Sequence, residues 1–312
     1  MSTLIRYLLQ RLLHILPVLL GISCITFTLM HLTPGDPAEI MLRADGIKPT
    51  KEAIEITRHT LGLDGPVYIQ YGHWLSRVLH LDLGSSYSSG RPVLTELLGR
   101  FPATALLALC GLAVALLLAL PLGILSALYP SSLIDRLGRV FALLSVSMPG
   151  YWLSLLLIYY GAVKLRLFPV LGMEGGSSLV LPSLALGFGM AGIYIRLIRT
   201  SMLEALDQLY IKAARGRGVQ EWSVIGRHAL RNALLPSLTL LGVQIGGLLG
   251  GSVIVETVFA WPGIGRYAVE AIFAKDYIVI QGYVLLMAVV VVLVNLVVDV
   301  SCLLLDPRIR LR

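Results

Sequence analysis

The stretch that decides the fold is TALLALCGLAVALLLALPLGILSAL at residues 104–128, which contains no charged side chain. A helix needs about 20 predominantly apolar residues to cross the hydrocarbon core of a bilayer, and this stretch is long enough. Five more apolar stretches lie on either side of it along the chain, at 12–32, 139–160, 179–197, 237–255 and 283–305. We therefore predict an all-α membrane protein with six transmembrane helices.

The composition of the whole chain indicates the same class. Of the 312 residues, 56% are hydrophobic and 14% are charged, and the mean hydropathy is +0.82. Soluble proteins average about 45–50% apolar and about 25% charged residues. These values exclude a water-soluble globule and a disordered chain. Three cysteines are too few for a secreted disulfide framework.

The net charge of +7 is explained by topology. Lys and Arg concentrate in 129–139 and 196–236 and near both ends of the chain, and short cytoplasmic loops of membrane proteins collect these residues. We predict that both termini are cytoplasmic and that the chain does not bind nucleic acid. Residues 1–312 would form a single transmembrane domain, with an extracytoplasmic insertion at 33–100 and a cytoplasmic loop at 200–236.

The cytoplasmic loop begins as an amphipathic helix. Its apolar residues recur at helical spacing among acidic and polar ones, at Met202, Leu203, Leu206, Leu209 and Tyr210. The loop continues as IKAARGRG at 211–218, where Gly218 can adopt the positive φ that ends a helix. The residues alone leave two interpretations open: a solvated basic loop without a role, or two short helices that dock in a groove of another protein.

The run KAARGRG at 212–218 resembles the EAA loop of ABC importer permeases, the coupling helix that docks on an ATP-hydrolysing subunit. Lys212 stands where the general motif has Glu, and the distance from Gly218 to Pro236 suits the peptide/nickel branch of these permeases. The chain resembles the same branch at 33–37, 61–64, 70–71, 82–86, 147–149, 256–266, 276–277 and 305–308. By this ordered resemblance the chain is identified as a member of the dipeptide/oligopeptide/nickel family of ABC importer permeases.

The resemblance implies a type I ABC importer permease of the bacterial inner membrane, with half of a translocation path. It implies four kinds of partner: a second homologous permease, two ABC ATPase subunits, an extracytoplasmic substrate-binding protein and membrane lipid. The chain has no Gly-Lys-Ser/Thr sequence of a phosphate-binding loop, so we expect no enzymatic activity and no cofactor in this chain. ATP and Mg²⁺ would be bound by the ATPase subunits.

The resemblance also assigns two groups of residues. The residues expected to couple to the ATPase are Leu203, Leu206, Tyr210, Lys212, Ala213, Ala214, Arg215 and Gly218. Those expected to form the outer gate or to contact the binding protein are Glu256, Trp261, Pro262, Gly263, Gly265 and Asp276.

Within the family, the stretches at 66–72, 80–82, 91–93 and 265–269 look most like the nickel permease subunit. The substrate predicted from this is a nickel ion, free or chelated, and the alternative is a di- or oligopeptide or a metal bound to a metallophore. Polar and sulfur-containing side chains at membrane depth are candidates to line the path: His14, His31, Met148, Gln244 and Asn295. No spacing of Cys and His predicts a tight metal site.

Two other classes of protein compete with a permease subunit. An ion-coupled secondary transporter would require buried carboxylates and repeated broken helices in the membrane. Asp299 is the one candidate acid well inside an apolar stretch, and no inverted repeat is visible. An intramembrane enzyme would require a nucleophile with a base, or a metal triad, and the scattered histidines do not predict one.

Overall fold

The computed structural model describes residues 2–32, 36–44, 48–61, 64–173 and 175–305, and within these ranges the chain is helical, with no β-strand and one isolated bridge between Ser85 and Pro92. The all-α prediction is confirmed. The helices are α1 (Ser2–Leu32), α2 (Pro37–Ala44), α3 (Lys51–Leu61), α4 (Val67–Leu79), α5 (Val93–Leu128), α6 (Leu133–Ser147), α7 (Gly150–Leu157), α8 (Val180–Asp207), α9 (Leu209–Gly216), α10 (Glu221–Ser223), α11 (Leu230–Ala233), α12 (Leu235–Val258), α13 (Ile264–Ala274) and α14 (Tyr277–Leu305).

Three other helical turns complete the described chain. A π-helix at Ile158–Lys164 continues α7, and a second π-helix at Val224–Ala229 joins α10 to α11. A 3₁₀ turn at Gly176–Leu179 leads into α8. π-Helices are rare and are frequently found at functional sites, and the second of these lies close to α9.

Four helical segments are long and apolar enough to cross a membrane: Ile15–Leu32, Val93–Leu128, Gly176–Asp207 and Tyr277–Ser301. A fifth would be the pair Leu133–Ser147 and Gly150–Lys164, if the two helices count as one broken span. Gln244–Val258 is a shorter apolar helix. The described residues therefore contain four or five candidate spans, and six spans with cytoplasmic termini stay a prediction.

The predicted third span at 139–160 is formed by two helices and not by one. Its two halves, α6 and α7, meet at a bend of 105°. Met148 and Pro149 have extended ψ angles of 123° and 134° at this point. Since a proline lacks an amide hydrogen and pushes the residue before it out of the helical region, the chain turns sharply here instead of continuing as a helix.

The chain divides into two compact units, Met1–Pro102 with Arg266–Leu293, and Ala103–Gly265 with Val294–Arg312. In the first unit, an aromatic cluster joins α1 to α4 around Phe27 and Trp74, whose ring centroids lie 5.6 Å apart.

In the second unit, glycines allow helices to approach closely. A Cβ atom at Gly192 would collide with the carbonyl oxygen of Ala142 on α6, and one at Gly187 would collide with that of Gly111 on α5. Gly187 and Gly192 therefore let α8 pack closely against α5 and α6.

Candidate functional site

The first candidate site is the short helix α9 with the turns around it, residues 208–223, which we call the α9 segment. Helix α8 ends where Gln208 becomes extended, with φ −64° and ψ 147°, and α9 begins at the next residue. After α9, Gly218 has φ +76°, which glycine adopts without strain, and the amide of Val219 donates a hydrogen bond of 3.2 Å to the carbonyl oxygen of Ala214. The sequence thus sets the C-terminal end of this helix through Gly218.

The inner face of the α9 segment packs against the rest of the second unit, to which the segment belongs. Ile211 is completely buried in an apolar cluster that includes Met202 and Val224. Leu203 and Leu206, which the resemblance places among the ATPase-coupling residues, are partly buried against the same cluster. These two leucines therefore support the α9 segment from inside and contribute little to the surface it presents.

The outer face carries the other residues of that group. Tyr210, Lys212, Ala213, Arg215 and Gly218 are exposed, and Ala214 is half-buried. Two further apolar side chains, which the resemblance does not place among the coupling residues, are also highly exposed. Leu209 is 80% exposed where α9 begins, and Trp222 is 87% exposed in α10. Trp222 could have been selected from the sequence, because a tryptophan is unusual in such a basic, polar stretch.

Ion pairs fix the cationic side chains of the outer face. The Nζ atom of Lys212 lies 2.8 Å from Oδ1 of Asp207. The guanidinium of Arg215 donates two hydrogen bonds, of 2.6 and 3.2 Å, to the carboxylate of Glu221. This pairing lowers the pKa of Glu221 and raises the pKa of Arg215. Arg215 and Glu221 thereby fasten α10 to the end of α9.

The second candidate site, which we call the Glu256 turn, consists of residues 256–265 together with Thr104. Glu256 is completely buried at the end of α12. Its Oε1 atom accepts a hydrogen bond of 2.7 Å from the hydroxyl of Thr104, and that hydroxyl oxygen accepts one of 2.9 Å from the amide of Ile264. A buried carboxylate is stable only with such partners, since leaving it unpaired costs several kcal/mol (about 3–5).

Trp261 closes the same turn. Its side chain is 1% exposed, its indole Nε1 donates a hydrogen bond of 2.9 Å to the carbonyl oxygen of Ala103, and its amide donates to the carbonyl oxygen of Glu256 over 2.8 Å. A Cβ atom at Gly263 would collide with the Glu256 carboxylate and with Thr104. The Glu256 turn is therefore a rigid unit that packs around a buried acid.

Gly265 and Pro262 take different roles in this turn. A Cβ atom at Gly265 would come within 2.8 Å of Oε2 of Glu256 and within 2.9 Å of Cα of Val253, so only glycine fits. Pro262 is exposed. Of the predicted outer-gate residues, the structure thus brings Glu256, Trp261, Gly263 and Gly265 together and leaves Pro262 on the surface.

The sixth predicted outer-gate residue, Asp276, belongs to the first unit. Its Oδ2 atom accepts hydrogen bonds from the hydroxyl of Ser86 at 2.6 Å and from the amide of Ser88 at 3.1 Å. It also precedes α14, where Oδ1 accepts a hydrogen bond of 3.4 Å from the amide of Val279. Burial and the nearby Asp276 carboxylate raise the pKa of Tyr87 to about 12. Asp276 therefore caps α14 and holds the loop at 85–92.

The candidate path-lining residues occupy separate places. Both ring nitrogens of His31 are engaged, Nδ1 with the carbonyl oxygen of Phe27 and Nε2 with Oε1 of Gln70, each at 3.0 Å. The remaining four are found as follows: Met148 is half-buried at the bend between α6 and α7, Gln244 is half-buried in α12, Asn295 is exposed in α14, and the side chain of His14 lies outside the described residues. Within the described residues, no three His, Cys, Asp or Glu side chains could hold a metal ion together.

The chain is similar in sequence to known permeases along nearly its whole length. Residues 119–311 match the family model of the binding-protein-dependent transport system inner membrane component, and residues 4–108 match the model of its N-terminal part. The glutathione transport system permease protein GsiC of Salmonella typhimurium is 39% identical over 98% of this chain and 99% of its own length. That of Pectobacterium atrosepticum is 40% identical over the same shares.

Solved structures share the fold. Chains of the MetNI methionine ABC transporter in inward-facing conformations align with a TM-score of 0.58 and 19% identity, over 67% of this chain and 96% of theirs. An amino acid ABC transporter with histidines aligns with a TM-score of 0.51 and 18% identity, over 75% of this chain and 98% of that one. The described chain thus has the helical arrangement of ABC importer permeases, and it belongs to the family of binding-protein-dependent transport system inner membrane components, as a multi-pass permease subunit of an ABC importer in the bacterial inner membrane.

Proposed function

We propose that this chain is the permease subunit of an ABC importer that takes up small peptides, of which glutathione is the first to test. The observation that carries this proposal is the similarity to permeases named for glutathione transport, at 38–40% identity over 98% of the chain. In an importer with two homologous permease subunits, this chain would form half of the translocation path. A second homologous permease would supply the other half.

The α9 segment is the part of the chain that would receive force from an ATPase subunit. It presents exposed apolar side chains, Leu209 and Trp222, next to cations fixed by ion pairs, while Ile211 anchors it to the core of the second unit. A tryptophan exposed to this degree is a typical anchor of a protein interface. ATP and Mg²⁺ would be bound by two ATPase subunits, since this chain has no Gly-Lys-Ser/Thr sequence of a phosphate-binding loop.

The Glu256 turn and Asp276 would serve the other side of the membrane. Each holds its backbone rigid around a buried carboxylate. Rigid, preorganised surfaces bind partners with less loss of conformational entropy. We propose that these segments meet an extracytoplasmic binding protein and frame the outer gate. This assignment requires six transmembrane spans and cytoplasmic termini.

A peptide substrate is favoured over a nickel ion by one local feature. An imidazole binds a transition metal through the lone pair of a ring nitrogen. Both ring nitrogens of His31 already lie 3.0 Å from oxygen atoms within its own unit. His31 would have to give up a contact to become a nickel ligand, so it fits a structural role at the end of α1 better.

Uptake by the reconstituted complex tests the proposal. The chain would be assembled in proteoliposomes with the second permease, the ATPase subunits and the binding protein, and supplied with labelled glutathione, a labelled dipeptide and radiolabelled nickel in competition. We expect ATP-dependent uptake of a peptide that excess nickel does not inhibit. Uptake of nickel alone would restore the nickel assignment. Uptake without ATP but driven by a proton gradient would identify a secondary transporter and overturn the proposal.

A further inference from the structure

A second ionic feature of the chain lies outside both candidate sites. Asp135, in the first turn of α6, is completely buried, and its carboxylate is saturated with donors. Arg199 of α8 makes a bidentate contact, with Nε 2.7 Å from Oδ1 and Nη2 3.1 Å from Oδ2. Arg139 and the amide of Ser131 each donate a further bond of 3.0 Å to Oδ2. Such a pair fixes orientation as well as distance, because the guanidinium is planar.

The position of Arg199 connects this pair with the α9 segment. Helix α8 runs without interruption from Arg199 to Asp207, and a single extended residue, Gln208, separates it from α9. Between these points Met202 and Ala205 are buried in the cluster that also holds Ile211 of α9. A displacement of α9 is therefore transmitted to Arg199 through this buried packing and through α8.

A second contact locks α6 to α8 farther along. The hydroxyl of Ser145 donates a hydrogen bond to the carbonyl oxygen of Phe188 and accepts one of 3.0 Å from the amide of Gly192. Gly192 lies so close to α6 that an added Cβ would collide with Ala142. Two helices held by a bidentate ion pair at one place and by a hydroxyl bridge at another resist both sliding and rotation.

We propose that Asp135 and Arg199 are positioning residues that join α6 to α8, so that movement of the α9 segment is carried through α6 to the bend at Met148–Gly150. The proposal rests on the proposed function, because it assumes that an ATPase moves α9. Beyond that function, it assigns the route by which the force reaches the bend at Met148–Gly150. Asp135 and Arg199 take no part in binding substrate or nucleotide.

A double-mutant experiment separates this role from a purely structural one. Asp135→Asn and Arg199→Gln each leave a charged group without its main partner, and we expect both to lower the yield of assembled complex. The double variant removes both charges, so the yield and the basal ATP hydrolysis should recover. Peptide uptake per ATP hydrolysed should nevertheless stay about tenfold below that of the unmodified complex, the size of a typical coupling energy between sites. The control is Glu39→Gln, which removes the exposed ion pair with Arg43 and should change nothing.

The outcomes are distinguishable. If the unmodified complex shows no ATP-driven uptake, the proposed function fails. If the unmodified complex is active and the double variant recovers both its yield and its uptake per ATP, the ion pair is only structural. That result would overturn the proposed role of the pair in carrying movement from α8 to α6. If the double variant does not assemble, spin labels at Glu204→Cys and Leu144→Cys, in a chain without its native cysteines, decide the question. The distance between the two labels should change by less than about 2 Å when ATP is added. A larger change, up to the roughly 5 Å of a one-turn shift between helices, would show that α6 and α8 do not move together and would overturn the proposal.

Discussion

Two tryptophans of the second unit have opposite surroundings. Trp261 is 1% exposed in the Glu256 turn, where its ring packs in an apolar cluster with Phe259 and Leu107 and its indole donates a hydrogen bond. Trp222 is 87% exposed beside α9, and neither an aromatic contact nor a hydrogen bond of its ring is found among the described residues. The first tryptophan is part of the fold. The second is placed where another protein could cover it.

The carboxylates of the two regions differ in the same way. Glu256 is completely buried and is held by Thr104, whereas Glu221 is about half exposed and faces Arg215 across the surface. A buried acid with fixed partners makes its surroundings rigid, and an exposed ion pair contributes little to stability. The Glu256 turn is thus built to keep its shape, and the α9 segment is built to keep its side chains available.

Replacing Trp261 should have the largest effect. Trp261→Ala removes a buried ring and its hydrogen bond, which typically costs about 3–5 kcal/mol of stability. We expect a large loss of folded protein, measured by size-exclusion chromatography of the detergent-solubilised chain after heating. The matched control is Trp222→Ala, for which the temperature at which half of the folded protein is lost should stay unchanged. Equal losses in both variants would contradict the assignment of Trp222 to a surface.

Replacing Trp222 should instead weaken binding to the ATPase subunit. Truncation of a tryptophan anchor at an interface costs about 2 kcal/mol, which corresponds to about 30-fold in affinity. The measurement is the Kd of purified ATPase subunit for the detergent-solubilised permease, by biolayer interferometry. Tyr68→Ala is the control, since Tyr68 is an aromatic residue in α4 that is 75% exposed and lies far along the chain from α9. An unchanged Kd would remove Trp222 from the docking surface.

The apolar helices and the positions of the two candidate sites could be predicted because their signals are local. A charge-free stretch such as 104–128 has one stable solution in a bilayer, a helix. The ordered glycines and Trp261 after α12 are likewise visible as a motif. Thr104 could not be assigned to the Glu256 turn, because it lies far away in sequence and nothing local distinguishes it from other threonines. Asp135 was missed for the same reason, since its partner Arg199 is 64 positions away.

The orientation of the α9 segment could not be predicted either. The apolar residues from Met202 to Tyr210 have the spacing of one amphipathic helix. This spacing predicts that Leu203, Leu206 and Tyr210 lie on the same face of that helix. The extended conformation of Gln208 ends the helix between them and changes the phase. Ile211 then turns inward and Leu209 outward. Helical spacing predicts which residues share a face only while the helix continues. Glutamine at position 208 does not indicate that a helix ends there.

Gly218 offers a test of the helix end that the sequence did predict. Gly218→Leu places a side chain at φ +76°, with no atom within 4 Å of its Cβ, so the cost is backbone strain of about 1–2 kcal/mol and not a clash. We expect normal assembly but several-fold lower uptake per ATP. Gly216→Leu is the control, because Gly216 has equal space and no positive φ. Equal uptake in the two variants would show that the conformation of Gly218 does not matter for coupling.

The smallest effect concerns the pH dependence of the Arg215–Glu221 pair. Hydrogen bonding to Arg215 holds the pKa of Glu221 below its ordinary value of 4.5. A carboxyl group whose pKa is lowered by folding stabilises the folded segment fully above pH 4.5, and this stabilisation is lost as the pH falls through the lowered pKa. A spin label at Arg217→Cys, in a chain without its native cysteines, should therefore become more mobile only below pH 4.5. In Glu221→Gln the mobility should be high at every pH and show no transition. A transition above pH 4.5 in the unmodified pair would mean that α10 is fastened to α9 by another contact.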